Sequence, residues 1–429
     1  MLLLLFGEKS NEIPEEYYVA VDSVESIGDN RYQIIFDGVI SKEFSEISRD
    51  GSIWQLYEKV IPRLIVVNLN HKSSNKLDYF INQKSFSGFW FKIKTSSEPT
   101  DLAASMSVEN FQNDENNESV LTFIYSIESL PKYSDTSINL TRFFSWDHQQ
   151  RGNTKAIEKH LKSIEPKNEV HKLNVYNVGQ GSLTAVTGQN NVPLFYFDLG
   201  GAWWIFPDSY PRTLKLCFNC TRTVILSHWD LDHIETARRL IKSNTFPSIT
   251  WIAPKQTLSP FYAKLAARMN ANGELLLWSG NYTQEIKFWA GSLLKCNGPD
   301  KNHSGLALLI KSPNNDIQNV LHPGDAAYLY IPNYDMLELD GLVATHHGAN
   351  FYLDNAPLPI SVIDDGAIAY SHGNKYGHPT PDSVLAHKSV GWTNERETTK
   401  KNISFTLNSN NNSVPCSGHD CDLSIQQTF

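Results

Sequence analysis

Cysteine is scarce in this chain, five among 429 residues, and an odd number leaves at least one thiol unpaired in any disulfide scheme. That usage fits a reducing compartment. Cys217 and Cys220 have the spacing of half a zinc site, with Cys416 and Cys421 as the other half, but the second pair is not a Cys-x-x-Cys. Unrelated reduced thiols are the favoured reading. Long apolar runs are missing too. The opening Met1–Phe6 has no basic leader and is too short for the apolar core of a signal peptide, so it reads as a buried first strand. No later run approaches the length needed to cross a bilayer, so a soluble, cytoplasmic protein with no membrane contact is expected. Basic excess is absent: 37 Lys and Arg against 46 Asp and Glu give a formal charge of −9, which excludes a broad nucleic-acid-coating surface and leaves room only for a local basic groove. There is no internal repeat and no large disordered tract, since 41% hydrophobic and 19% charged residues are globular proportions.

The length exceeds the usual single-domain range, and the pattern changes near Pro166. Residues 1–165 read as a mainly β accessory domain, carried by Tyr17–Val21, Tyr32–Phe36, Leu64–Val67 and Phe89–Ile93, all aromatic or β-branched and separated by polar turns. Trp54–Ile61 reads as a short helix and the acidic Asn113–Ser119 as a solvated loop. No chemical constellation occurs there, so its role is recognition of substrate or of a protein partner.

The informative stretch is His228-Trp229-Asp230-Leu231-Asp232-His233, four potential metal ligands within six residues. It follows the apolar run Val224-Ile225-Leu226, a buried strand, and precedes Ile234, Ala237, Leu240 and Ile241 at helical spacing. Carboxylates and imidazoles crowded at a strand-to-helix turn repel one another unless a cation sits among them. The plain alternative is a polar loop whose aspartates cap the helix; the density of ligand types favours a metal. Upstream, the strand Leu194–Phe197 delivers Asp198-Leu199-Gly200-Gly201; downstream, Asn302-His303-Ser304 precedes the strand Gly305–Lys311, and Gly324-Asp325, His346-His347-Gly348, and Ser371 to Pro379 with Lys375 and His378 each follow a strand.

In this order the motifs resemble the metallo-β-lactamase superfamily, and within it the hydrolase domain of the ComEC-type bacterial DNA-uptake protein and its soluble stand-alone relatives, over about residues 170–408. Nothing in the resemblance covers the N-terminal region, and 409–429 is left as a C-terminal tail. The resemblance implies an α/β fold, the αββα sandwich of two mixed sheets, here with an additional mainly β N-terminal domain. It also implies two divalent ions, zinc or manganese with magnesium admissible. His228 and Asp230 would hold one ion, Asp232 and His233 the other, with Asp325 bridging and His346, favoured over His347, completing the second. Asp230 stands where most of the superfamily has histidine, which shifts preference toward harder ions. The superfamily's intervening histidine has no clear counterpart: His303 lies in the right segment, and Asn302 or Ser304 could equally take its place.

The implied chemistry is hydrolysis of a phosphodiester, with DNA or RNA as substrate, by a water that the metals and Asp232 activate. His378 and His347 are assigned to binding the scissile phosphate or protonating the leaving group, and Lys375 to contacting the substrate. Two other classes stay open: hydrolysis of a small molecule such as a cyclic nucleotide, lactone or thioester, and a non-enzymatic partner-binding module.

Overall fold

The computed structural model describes residues 16–26, 31–48, 57–70, 88–96, 102–108, 119–144, 154–164, 172–188, 192–202, 209–211, 213–218, 221–242, 247–280, 284–311, 319–349, 357–373, 376–399, 401–406 and 424–428. The readings of Met1–Phe6, of residues 113–118, of Lys375 and of Cys220, Cys416 and Cys421 lie outside these. The chain divides into two compact units.

In the first unit six antiparallel strands close into a barrel, in the order Glu16–Ser26, Arg31–Ile40, Arg63–Asn70, Leu102–Val108, Ser119–Ser129, Phe91–Ser96. Side chains two apart share a face, so Tyr17 and Val19, Ile34 and Phe36, and Ile65 and Val67 all enter one core cluster. Closure leaves no unpaired sheet edge. Residues 57–59 form a helical turn within the stretch read as a helix.

The unit is not a contiguous N-terminal piece. It comprises Met1–Gln150 together with Lys242–Asn244 and Gln256–Ala271, so most of the helix Pro260–Asn272, whose Ser259-Pro260 start is legible in the sequence, belongs with the barrel. Asp37 of the second strand explains why: its carboxylate accepts from the Phe261 N–H (2.8 Å) and from the Ser259 hydroxyl, capping that helix across 224 residues of sequence. Lys264 adds a bond from Nζ to the Val60 carbonyl (2.7 Å). The helix Thr154–Ser163, inside the 1–165 range read as the accessory domain, falls in the second unit instead, because Ile157 and Leu161 on its apolar face are part of that unit's core.

The second unit holds two seven-stranded mixed sheets. One runs Glu274–Trp278, Thr250–Pro254, Thr223–Ile225, Pro193–Leu199, Leu183–Thr187, Lys172–Val175, Ile403–Thr406, with its first four strands parallel. The other runs Glu285–Phe288, Gly291–Lys295, Leu306–Lys311, Asn319–His322, Gly341–Val343, Ala367–Tyr370, Asn394–Glu397, with its last four strands parallel. Their facing residues form one cluster: Phe197 and Ile225 from the first sheet meet Leu308 and Val343 from the second. Ala307 and Leu309 alternate into a further cluster on the second sheet's other face, which explains why that strand is apolar throughout. The helix Pro381–Ser389 begins as its sequence indicates, with Thr380 accepting from the Ser383 N–H (3.2 Å) and Pro381 in the first turn.

Residues 424–428, expected to lie in a tail, pair antiparallel with Thr213–Cys217. Ser424-Ile-Gln-Gln-Thr has no apolar alternation to announce a strand. Among the described residues no helix is long and apolar enough to cross a membrane.

Candidate metal centre

The parallel strands of both sheets deliver polar loops from their carboxyl ends, the place where open α/β sheets hold ligands. From the first sheet come Asp198, ending Pro193–Leu199, and the turn after Thr223–Ile225. In that turn Trp229 and Leu231 are buried, and Trp229 Nε1 donates to the Pro254 carbonyl (3.0 Å). These apolar anchors alternate with the ligand-type residues and turn them to the opposite side. The helix Leu231–Lys242 then begins with Asp232 and His233 in its first turn. From the second sheet come Asp325 after Asn319–His322, His346 and His347 after Gly341–Val343, and Ser371 after Ala367–Tyr370.

Asp198, His346 and His347 have positive φ (59°, 44° and 57°), and among the described residues Asn333 is the only other non-glycine that does. Side chains rarely hold that conformation, so its concentration here marks strain kept in place by the surrounding fold. Gly200 permits the close approach of the motif's backbone: a Cβ there would stand 1.8 Å from the Asp232 carbonyl. That carbonyl accepts from the N–H groups of Ser182 and Gly201, each at 3.0 Å.

The hydrogen bonds fix how the imidazoles face. Asp198, fully buried, accepts from the Ser227 N–H (2.7 Å), the Ser227 hydroxyl (2.9 Å) and His233 Nδ1–H (2.8 Å). With its proton committed to Asp198, Ser227 Oγ accepts from His228 Nδ1–H (3.0 Å). His347 Nδ1–H donates to the Ser371 carbonyl (2.5 Å). Each of the three rings is thereby held through Nδ1 with Nε2 turned inward. His233 Nε2 lies 3.0 Å from Asp325 Oδ1, His228 Nε2 3.8 Å from Asp325 Oδ2, and His347 Nε2 3.0 Å from Asp232 Oδ2. Two triads of donor atoms result, His228–His233–Asp325 and Asp232–His233–His347, each with its atoms within 4.8 Å of one another.

The two members of the His346-His347 pair, of which His346 is the ligand favoured from sequence, turn to different partners. His347 closes on Asp232 and His233, whereas His346 turns Nδ1 toward Asp325 Oδ2 (3.3 Å) and the Asn302 amide (3.4 Å) and lies 5.8 Å, ring to ring, from His378. On adjacent left-handed residues the two rings stand 6.1 Å apart and at 80° to each other, an arrangement that identity and order do not encode. His303 is drawn away from the centre. Its Nδ1 meets Asp300 Oδ2 at 2.6 Å and its ring packs 4.9 Å from Tyr330. In that segment the side chain reaching the cluster is Lys301, with Nζ 3.0 Å from Asp230 Oδ1.

The electrostatics follow from this crowding. Burial works to raise the Asp325 pKa, but His233 and His346 outweigh it and hold the carboxyl well below its usual range. Asp230 is depressed in the same way against its burial, by Lys301 and His228. Burial pushes His378 down to about 3, with His346 and His347 adding to the shift, so its ring is neutral at physiological pH.

The donor set suits a divalent ion on a specific observation. His228 Nε2 and His233 Nε2 both face the buried Asp325 carboxylate, at 3.8 and 3.0 Å, while each ring is fixed through its other nitrogen. A bound cation satisfies such nitrogens and the carboxylate together. Asp198, Ser227 and Lys301 were not legible as site residues: Asp198 stood out only through the glycines after it, and Ser227 and Lys301 carried no signal.

Among solved structures the chain is similar to the metallo-beta-lactamase fold protein YhfI from Bacillus subtilis, at 14% identity over 56% of this chain and 99% of that one, with a TM-score of 0.36. No family model and no curated protein matches.

Proposed function

We propose that the chain is a metal-dependent hydrolase and that its substrate is a phosphodiester, with nucleic acid as the substrate class. The observation that carries the first part is the convergence of three imidazole Nε2 atoms, each oriented through Nδ1, on Asp232 and Asp325. A structural role for these residues gives no reason to aim two fixed imidazole nitrogens, His228 Nε2 and His233 Nε2, at one buried carboxylate, Asp325. The order of the motifs and their resemblance to the ComEC-type hydrolase domain support the second part.

In this reading His233, His347, Asp232 and Asp325 hold the ion, His347 taking the role first given to His346. A divalent ion bound there supplies Lewis acidity and a nucleophile at neutral pH. Ser227 and Asp198 keep the imidazoles in one tautomer and one orientation. His378, neutral at rest, offers a ring hydrogen bond to a phosphate oxygen; its Nδ1 has no hydrogen-bond partner in the fold. An arriving anion favours protonation of that ring, so the residue that binds the phosphate is also placed to release a proton to the leaving oxygen.

The formal charge of −9 favours a second reading, hydrolysis of a small anionic or neutral molecule. One experiment separates them: the manganese-loaded protein is incubated with labelled single- and double-stranded DNA, RNA, cyclic nucleotides, a lactone and a thioester. Cleavage of a polymer that is lost in Asp325→Ala supports the proposal. Turnover of small molecules alone selects the second reading. Equal background rates for wild type and Asp325→Ala on every substrate, with metal present in the wild type, leave neither and point to a non-enzymatic partner-binding module.

A further inference from the structure

The two donor triads have one atom in common. His233 Nε2 belongs to both, and an imidazole nitrogen has a single lone pair to give. If one ion takes His233 together with Asp232 and His347, the donors left on the other side are His228, Asp230, a share of Asp325 and His346 Nδ1, which already faces the Asn302 amide at 3.4 Å. Asp230 is already engaged by a cation, the Lys301 ammonium at 3.0 Å, in a pair whose side chains are 21% and 13% exposed. The remaining nitrogen that this segment could offer is His303, which is tied to Asp300 through both its backbone N–H (2.8 Å) and its ring (2.6 Å).

We infer that the centre holds one divalent ion, on Asp232, His233, His347 and Asp325, and that Lys301 supplies the second positive charge beside Asp230 and His228. The inference rests on the metal-dependent reading above and sharpens it. Charge is consistent with it: one divalent ion and one ammonium match the three carboxylates Asp230, Asp232 and Asp325, while the Asp198 carboxylate is engaged by Ser227 and His233. A second divalent ion would have to displace Lys301 from Asp230 or share that carboxylate with it, and two cations on one carboxylate repel at short range. An ammonium has no empty orbital for an oxygen ligand but carries three N–H donors, so this side of the site holds a substrate oxygen by charge and hydrogen bonds. His228 Nε2, aimed at the same space, is then an acceptor for a water or a substrate hydroxyl.

The test is metal stoichiometry in the full-length chain, read without any assay of turnover. Protein equilibrated with Mn(II) and separated from free metal is analysed for manganese content and by electron paramagnetic resonance. The expected result is about one tightly held ion per chain with the spectrum of isolated Mn(II). In Lys301→Met the content should rise to about two, with the spectrum of a spin-coupled pair, because Asp230 is released to join His228 and Asp325. Lys301→Arg should stay near the wild-type value. Two coupled ions in the wild type overturn the inference and leave the metal-dependent reading intact; no bound ion in the wild type overturns that reading as well. Unchanged content in Lys301→Met also overturns the assignment of Lys301. If Lys301→Met does not fold, as judged by circular dichroism, His228→Ala decides: the inference requires it to keep the single ion while His347→Ala loses it, and loss from His228→Ala overturns it.

Discussion

Asp198 does its work through two other residues. It fixes Ser227 and His233 and, through the Ser227 hydroxyl, the ring of His228. Replacing Asp198 by Asn removes the anionic acceptor while keeping the shape, so both imidazoles lose their single tautomer. The expected result is metal affinity lower by about 10–100-fold, measured by competition with a chelator, in a chain that still folds. Affinity equal to wild type would show that the rings are held by packing alone. His378 predicts a different signature. His378→Ala should leave manganese content unchanged and lower turnover by about 100-fold, since the ring is assigned to the phosphate and the leaving oxygen and is no part of either donor triad. Metal loss in that variant would move His378 into the ligand set.

At the scale of elements, the helix Leu231–Lys242 carries Asp232 and His233 and its own means of staying in place. Glu235, fully buried, takes two bonds from Arg238 (2.7 Å each) and one from Arg239 (2.7 Å). Its burial alone would raise its pKa, but the two guanidiniums reverse that and lower it. Glu235→Ala leaves Arg238 buried without its carboxylate and should cost about 3 kcal/mol or more in urea unfolding. A loss within the scatter of surface mutations would mean that Arg238 finds water in the variant. The helix Pro381–Ser389 gives a pH test. His387 accepts from the Tyr328 hydroxyl at Nε2 (2.9 Å) and donates from Nδ1 to the Ser383 carbonyl (2.8 Å), a pairing that requires the neutral ring, and burial lowers its pKa to about 4. The unfolded chain therefore binds this proton first. Its contribution to stability is complete above about pH 6.5 and is lost at up to about 1.4 kcal/mol per pH unit on acidification toward the folded pKa. Unfolding midpoints measured across that window should fall less steeply in His387→Gln; an identical slope would assign the acid sensitivity to other groups.

At the scale of the molecule, the first unit is assembled from three separated stretches of chain. Residues 1–150 contain the six barrel strands but lack the segment around Pro260–Asn272, leaving the Asp37 carboxylate without Ser259 and Phe261 as donors. A fragment of residues 1–150 should therefore show no cooperative thermal transition by circular dichroism under conditions where the intact chain melts cooperatively. A cooperative melt of the fragment would show that the barrel closes without the inserted helix.

The sequence by itself determined what is local. His228 to His233 after an apolar strand and before a helical repeat placed ligand-type residues on a turn, Thr380-Pro381 started a helix, and β-branched runs such as Ile34–Phe36 and Leu64–Val67 made strands, because periodicity and capping act within a few residues of chain. What needed the tertiary structure are the relations between residues far apart. Asp198 reaches His233 across 35 residues, Lys301 reaches Asp230 across 71, and Asp37 caps a helix 224 residues away. The choice between His346 and His347 was closed to sequence for a different reason. Both stand in left-handed backbone at the end of one strand, and only the direction each side chain takes there decides that His347 meets Asp232 while His346 meets Asp325 and Asn302.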